Sequence, residues 1–133
     1  MLTSIRILVV DDSSTMRRII SKALIELGVN ADQITQAVDG LDALGKMKTA
    51  NKFDLILTDW NMPKMDGLSL VNNLRLIPKS KKTPIVMITT EGSKKEVIEA
   101  LKSGVNNYLV KPFTLDTLKI KLLPILNKVK PEE

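Results

Sequence analysis

Two hydrophobic periods alternate along the chain. Ile5–Val10, Asp54–Thr58 and Pro84–Thr89 are short runs dense in Ile, Val and Leu with little polar alternation. Such runs suit strands covered on both faces, as in a parallel sheet. Gln33–Val38 and Asn107–Val110 are weaker strand candidates, closer to the sheet edges. Helical stripes lie between them. Met16, Ile19, Ile20, Ala23, Leu24 and Leu27 recur at spacings of three, one, three, one and three, and Gly28 stops that helix. Leu41, Leu44 and Met47 predict a second helix opened by Asp39, and Leu68, Val71 and Leu74 a third that ends before Pro78. Val97, Ile98 and Leu101 mark a fourth, started by the capping-box sequence Ser93-Lys94-Lys95-Glu96 and closed by Gly104. Leu115, Leu118, Leu122, Ile125 and Leu126 form the last, capped by Thr114.

Five β-α units in strict alternation predict a doubly wound α/β sandwich, one domain over residues 1–133. There is no internal repeat and no low-complexity segment. Lys79–Lys82 and the tail Lys130–Glu133 read as solvated surface. Pro124 falls inside the last helix, where it removes a hydrogen bond and is expected to kink the axis. Ile120 and Leu123 lie off that helix's main stripe. Two readings stay open for them: a broad buried face, or an exposed apolar patch for a partner.

Composition narrows the chemistry. The chain of 133 residues has no Cys and no His, which excludes disulfides, thiolate zinc sites, catalytic triads, imidazole metal sites and a phosphohistidine of its own. The N-terminal apolar run is cut at once by Asp11 and Asp12, unlike a secretory leader, and no stretch approaches the roughly 20 apolar residues of a membrane span. A cytoplasmic protein is expected. The formal net charge of +5 permits contact with anionic partners, but no basic helix carries a nucleic-acid reading motif, so no nucleic-acid partner is expected.

In such sheets, sites lie outside the carboxyl ends of the strands. Asp11 and Asp12 follow the first strand, Asp59 the third, Thr89 ends the fourth, and Lys111-Pro112 follows the fifth. Each alone has an ordinary explanation: helix caps, a turn residue, a β-branched terminus, a surface cation. Core packing does not account for all of them at one edge. Two carboxylates held ~5 Å apart repel by about 3 kcal/mol at an effective dielectric of ~20. Three converging carboxylates therefore call for a cation, a shared proton or a wide separation. An all-oxygen donor set favours a hard divalent ion, and few carboxylates with several waters suit Mg²⁺. Mg²⁺ with Lys111 around Asp59 has the makings of a phosphoryl clamp, with Asp59 as acceptor. No GxxxxGK[ST] or GxGxxG motif is present. Asp59-Trp60-Asn61-Met62-Pro63-Lys64 starts like an EF-hand loop, but Pro63 and Lys64 break it.

Val9-Val10-Asp11-Asp12-Ser13, Thr58-Asp59-Trp60-Asn61-Met62-Pro63 with Asp66-Gly67, Met87-Ile88-Thr89-Thr90-Glu91 and Tyr108-Leu109-Val110-Lys111-Pro112-Phe113 together resemble a response-regulator receiver domain. The resemblance covers essentially the whole chain, and Asp-Trp-Asn-Met-Pro with Tyr108 is similar to the single-domain chemotaxis members of that family. It implies a flavodoxin-like sheet of order 2-1-3-4-5 with five helices and no output domain. It also implies that Asp59 accepts a phosphoryl group, and that Asp12, Asp59 and the Asn61 backbone carbonyl bind Mg²⁺, with Asp11 acting through water. By the same resemblance Lys111 and Thr89 contact the phosphoryl oxygens, Lys111–Pro112 is cis, and Tyr108 is a switch that turns inward near Thr89.

The implied readout face includes Lys94, Tyr108, Val110 and Lys121. The implied partners are the histidine kinase CheA as donor, the flagellar switch protein FliM as target, and a phosphatase, with the chain itself a monomer. Thr90, bulkier than the Ala common after the switch Thr, bears on access to the phosphoryl group. The expected function is a phosphorylation-controlled binding module rather than an enzyme. Its rivals are a phosphorelay intermediate and a small-molecule aspartyl-phosphate phosphatase. Against the second, Asn61 replaces the acid/base of the DxD phosphatases.

Overall fold

The computed structural model describes residues 4–49 and 52–129. Five strands alternate with five helices: β1 Ile7–Val10, α1 Ser14–Glu26, β2 Ile34–Ala37, α2 Gly40–Thr49, β3 Leu55–Thr58, α3 Gly67–Leu74, β4 Ile85–Thr89, α4 Lys94–Ser103, β5 Asn107–Val110 and α5 Leu115–Lys128. The sheet is parallel throughout, in the order β2-β1-β3-β4-β5. The two weak strand candidates therefore do lie at the edges. Every residue of β1, β3 and β4 is buried, as runs covered on both faces must be.

Alternate strand residues face two separate cores. Ile7, Val9, Leu55, Leu57, Val86 and Ile88 pack with Ile20, Leu24, Leu118, Leu122 and Leu126 of α1 and α5. Leu8, Val10, Ile56, Ile85 and Met87 pack with Met47 of α2 and with Leu70, Val71 and Leu74 of α3. The sheet is thus covered by α1 and α5 on one side and by α2, α3 and α4 on the other.

Helix ends are set locally. Ser13, Asp66, Ser93 and Thr114 each accept a backbone N–H through the side chain at their helix N-terminus. Asp39 does the same for Asp42 N, at 2.8 Å, where α2 begins. At Ser93, in the expected capping-box sequence, Glu96 N donates to the Ser93 hydroxyl, which itself donates to Glu96 Oε1 at 2.6 Å. Gly28 and Gly104, at φ of 111° and 113°, terminate α1 and α4. α5 runs unbroken through Pro124.

Two surface expectations change. Ile120 is 72% exposed and Leu123 42%, so the buried-face reading of these residues fails and both stand in solvent. In the Lys79–Lys82 loop the lysines are exposed but Ser80 is fully buried, its hydroxyl donating to the Leu74 carbonyl at 2.6 Å. Lys130–Glu133 lies outside the described residues.

Candidate functional site

The parallel register brings the carboxyl ends of the strands level. Val10 pairs with Thr58, Thr58 with Met87, and Thr89 with Val110. The residues that follow emerge on one edge. Oxygens of Asp11, Asp12 and Asp59 lie within 4.8 Å of one another. Of the three ways to accommodate converging carboxylates, wide separation is thereby excluded. Asp11 is 1% exposed and Asp59 9%, whereas Asp12 faces solvent.

Lys111 reaches this cluster from beyond β5. Its Nζ donates to Asp11 Oδ2 at 3.0 Å and to Asp59 Oδ2 at 3.3 Å. The remaining oxygens are held by backbone: Ser13 N donates to Asp11 Oδ1 at 2.9 Å, and Trp60 N to Asp59 Oδ1 at 2.7 Å. Burial pushes the Asp11 carboxyl up, opposed by the Ser13 N–H and by Lys111, and the nearby Asp59 charge adds to the rise. A buried carboxylate resisting ionisation beside two others is a site that a divalent cation would relieve. The donor set gathered here, all carboxylate oxygen, fits Mg²⁺.

Three supports around the cluster were not legible in the sequence. Arg17 donates from its guanidinium to the Asp11 carbonyl at 2.7 Å and from Nε to Gln36 at 3.0 Å, tying the loop after β1 to edge strand β2. Asn61 Nδ2 donates to Glu91 Oε1 at 2.7 Å, joining the loops after β3 and β4. At Gly67 the N–H donates to the Trp60 carbonyl at 2.7 Å, and an added Cβ would sit 1.9 Å from the Asp59 carbonyl oxygen. No periodicity links these partners. The Asp66-Gly67 pair was the only signal available.

Thr89 is fully buried at the end of β4, and its hydroxyl accepts from Glu91 N at 3.4 Å. Tyr108 is half-buried, and its hydroxyl donates to the Glu91 carbonyl. Burial, with the Glu96, Glu91 and Asp59 charges behind it, pushes the phenol up to about 12, so it remains a donor at neutral pH. Thr89 and Tyr108 thus meet at one residue, Glu91. The Lys111–Pro112 bond is cis. Lys94, Val110 and Lys121 are exposed, as are Ile98 and Leu101 on α4, two apolar residues outside the expected readout set.

A family model for the response regulator receiver domain matches residues 7–123. Chemotaxis protein CheY1 of Helicobacter pylori is 52% identical over 121 residues, covering 91% of this chain and 96% of that protein. Chemotaxis protein CheY-3 of Vibrio cholerae is 48% identical over 126 residues, covering 95% of each. Among solved structures, the chemotaxis response regulator CheY4 of Vibrio cholerae superposes with a TM-score of 0.82 at 39% identity, covering 93% of this chain and 99% of the other. The receiver domain of the sensor histidine kinase PA1611 of Pseudomonas aeruginosa, 28% identical with a TM-score of 0.78, covers 93% of this chain and 95% of its own and has a magnesium ion coordinated in its active-site cleft. The family match runs from β1 into α5 and takes in every strand end that carries an ionisable or hydroxyl side chain, and the chain belongs to the response regulator receiver domain family.

Proposed function

We propose that this chain is a cytoplasmic chemotaxis response regulator, phosphorylated on Asp59 by a histidine kinase of the CheA type, whose output is contact with the flagellar switch protein FliM. The observation that carries the reading is Lys111, which reaches Asp59 and Asp11 together at the mouth of a three-carboxylate cluster. An Asp59 oxygen attacks the phosphorus of the donor phosphohistidine. The O–P bond forms as the N–P bond breaks, and the leaving imidazole keeps the electron pair and takes up a proton. Lys111 and the Thr89 hydroxyl hold the transferred oxygens. Asp12, Asp59 and the Asn61 carbonyl would hold Mg²⁺, with Asp11 acting through water. The bound ion supplies charge neutralisation for the transferring group.

Once Asp59 is phosphorylated, Lys111 and Thr89 are drawn toward the new oxygens. Thr89 and Tyr108 share Glu91 as a partner, so movement of the loop after β4 is passed to Tyr108. The face of Lys94, Tyr108, Val110 and Lys121 would then be biased toward its binding form, by no more than the difference in interaction energy between the two states. The chain acts in this reading as a switch, its only chemistry being on its own Asp59. No helix among the described residues is long and apolar enough to cross a membrane, which agrees with a freely diffusing messenger.

The test is FliM binding by the purified chain with Mg²⁺, before and after treatment with a small phosphodonor. Affinity is expected to rise about tenfold or more, equivalent to ~1.4 kcal/mol of coupling. Equal affinity in the two states would contradict the proposal.

A further inference from the structure

We propose that a lysine-lined pocket at the end of the sheet opposite Asp59 binds a compact polyphosphate anion. The pocket, about 610 Å³, lies where Lys52 and Asp54 lead into β3, Pro84 leads into β4, and Val129 follows α5. Lys52, Lys79, Lys81, Lys82 and Lys128 line it, and Asp54 is the single carboxylate among its described lining residues. Like charges gathered around one concavity oppose folding unless a counter-charge joins them.

The loop that brings three of these lysines together is held from behind. The Arg75 guanidinium donates to the carbonyls of Ser80, Lys81 and Thr83 at 2.9, 3.1 and 2.8 Å. Ser80, fully buried, anchors the loop to Leu74, and Lys79 Nζ donates to the Lys48 carbonyl at 3.4 Å. The positive charge is therefore presented on a fixed backbone, which reduces the ordering cost of binding.

The shape selects among anions. β3 and β4 are interior strands, so no free edge beside the pocket offers a ladder to an extended acidic peptide. Phe53, the aromatic residue at the pocket, is 1% exposed and gives no stacking surface for a single-stranded nucleic acid. A pocket of this size lined by five lysines instead suits several phosphates on one small molecule. Two sources share that chemistry, an inorganic polyphosphate chain and a nucleoside triphosphate.

The experiment is calorimetric titration of the full chain with tripolyphosphate, ATP, orthophosphate and an oligoglutamate peptide, in EDTA to keep the acidic cluster free of metal. Amide NMR shifts locate the binding. Tripolyphosphate is expected to bind once, to shift Phe53, Asp54, Thr83 and Val129, and to leave Asp59 and Lys111 unmoved. The Lys81→Gln/Lys82→Gln double variant should bind about tenfold more weakly, at an equal or higher melting temperature, since two of the mutually repelling charges are gone. ATP binding more tightly than tripolyphosphate would assign the site to a nucleotide, and equal or weaker ATP binding to the phosphate chain alone. Orthophosphate as tight as tripolyphosphate, a tighter oligoglutamate, shifts centred on Asp59, or undiminished binding by the double variant would each overturn the assignment.

Discussion

At Gly67 a single hydrogen is all that fits between α3 and the Asp59 backbone. A Cβ there would meet the Asp59 carbonyl oxygen at 1.9 Å and Trp60 Cα at 2.9 Å, both main-chain atoms that cannot swing aside. Gly67→Ala should cost about 2 kcal/mol or more in urea unfolding, and should displace Asp59 enough to abolish its phosphorylation. At Gly45, in α2, an added Cβ meets nothing within 4 Å, so Gly45→Ala should instead stabilise the fold by roughly 0.5–1 kcal/mol. Asp11 has a different residue-scale consequence. Its carboxyl is raised by burial, so the native state holds that proton more tightly than the unfolded chain does. The stability associated with the bound proton is complete at low pH. It is lost as pH rises from the ordinary carboxylate value through the raised one. In metal-free buffer at neutral pH, Asp11→Asn should therefore unfold at higher urea than the parent; a lower midpoint would mean that the Lys111 pairing outweighs the burial cost.

The elements themselves were largely legible. The run Asn107–Val110 coincides with β5 to the residue, and the other strands are one or two residues shorter at one or both ends than their apolar runs, because a strand ends where its ladder hydrogen bonds end. Asp11, Asp12, Asp59, Thr89 and Lys111 were legible for a related reason: in a parallel sheet the residue just past each strand has only one edge to occupy. The supports were not. Arg17 to the Asp11 carbonyl, Asn61 to Glu91, and Arg75 to the Lys79–Lys82 loop are contacts made in loops. Hydrophobic periodicity reports burial along one element and is silent on such crossings. Pro124 leaves α5 continuous over Leu115–Lys128, yet it supplies no N–H to the helix ladder. Pro124→Ala should raise unfolding free energy by about 1–3 kcal/mol, read from the urea midpoint at constant slope.

Within the net charge of +5, two clusters of opposite sign stand at opposite ends of the sheet. Asp11, Asp12 and Asp59 gather at the carboxyl ends of the strands, and five lysines gather at the amino ends. A cation that binds only the folded cluster must stabilise the entire domain by mass action. At one hundred times its dissociation constant the gain is ~2.7 kcal/mol. MgCl₂ should accordingly raise the urea midpoint of the parent chain and leave that of Asp59→Asn nearly unchanged. Trp60, 8% exposed and donating its backbone N–H to Asp59, should report the same binding through its fluorescence. A flat titration would count against a metal at this site.

The most direct measurement is the intact mass of the chain after treatment with a small phosphodonor and Mg²⁺. One phosphoryl adduct is predicted on the parent, and none on Asp59→Asn, in which Asp11 and Asp12 remain in place. An adduct undiminished in Asp59→Asn, or none on the parent, would contradict Asp59 as the acceptor and with it the switch.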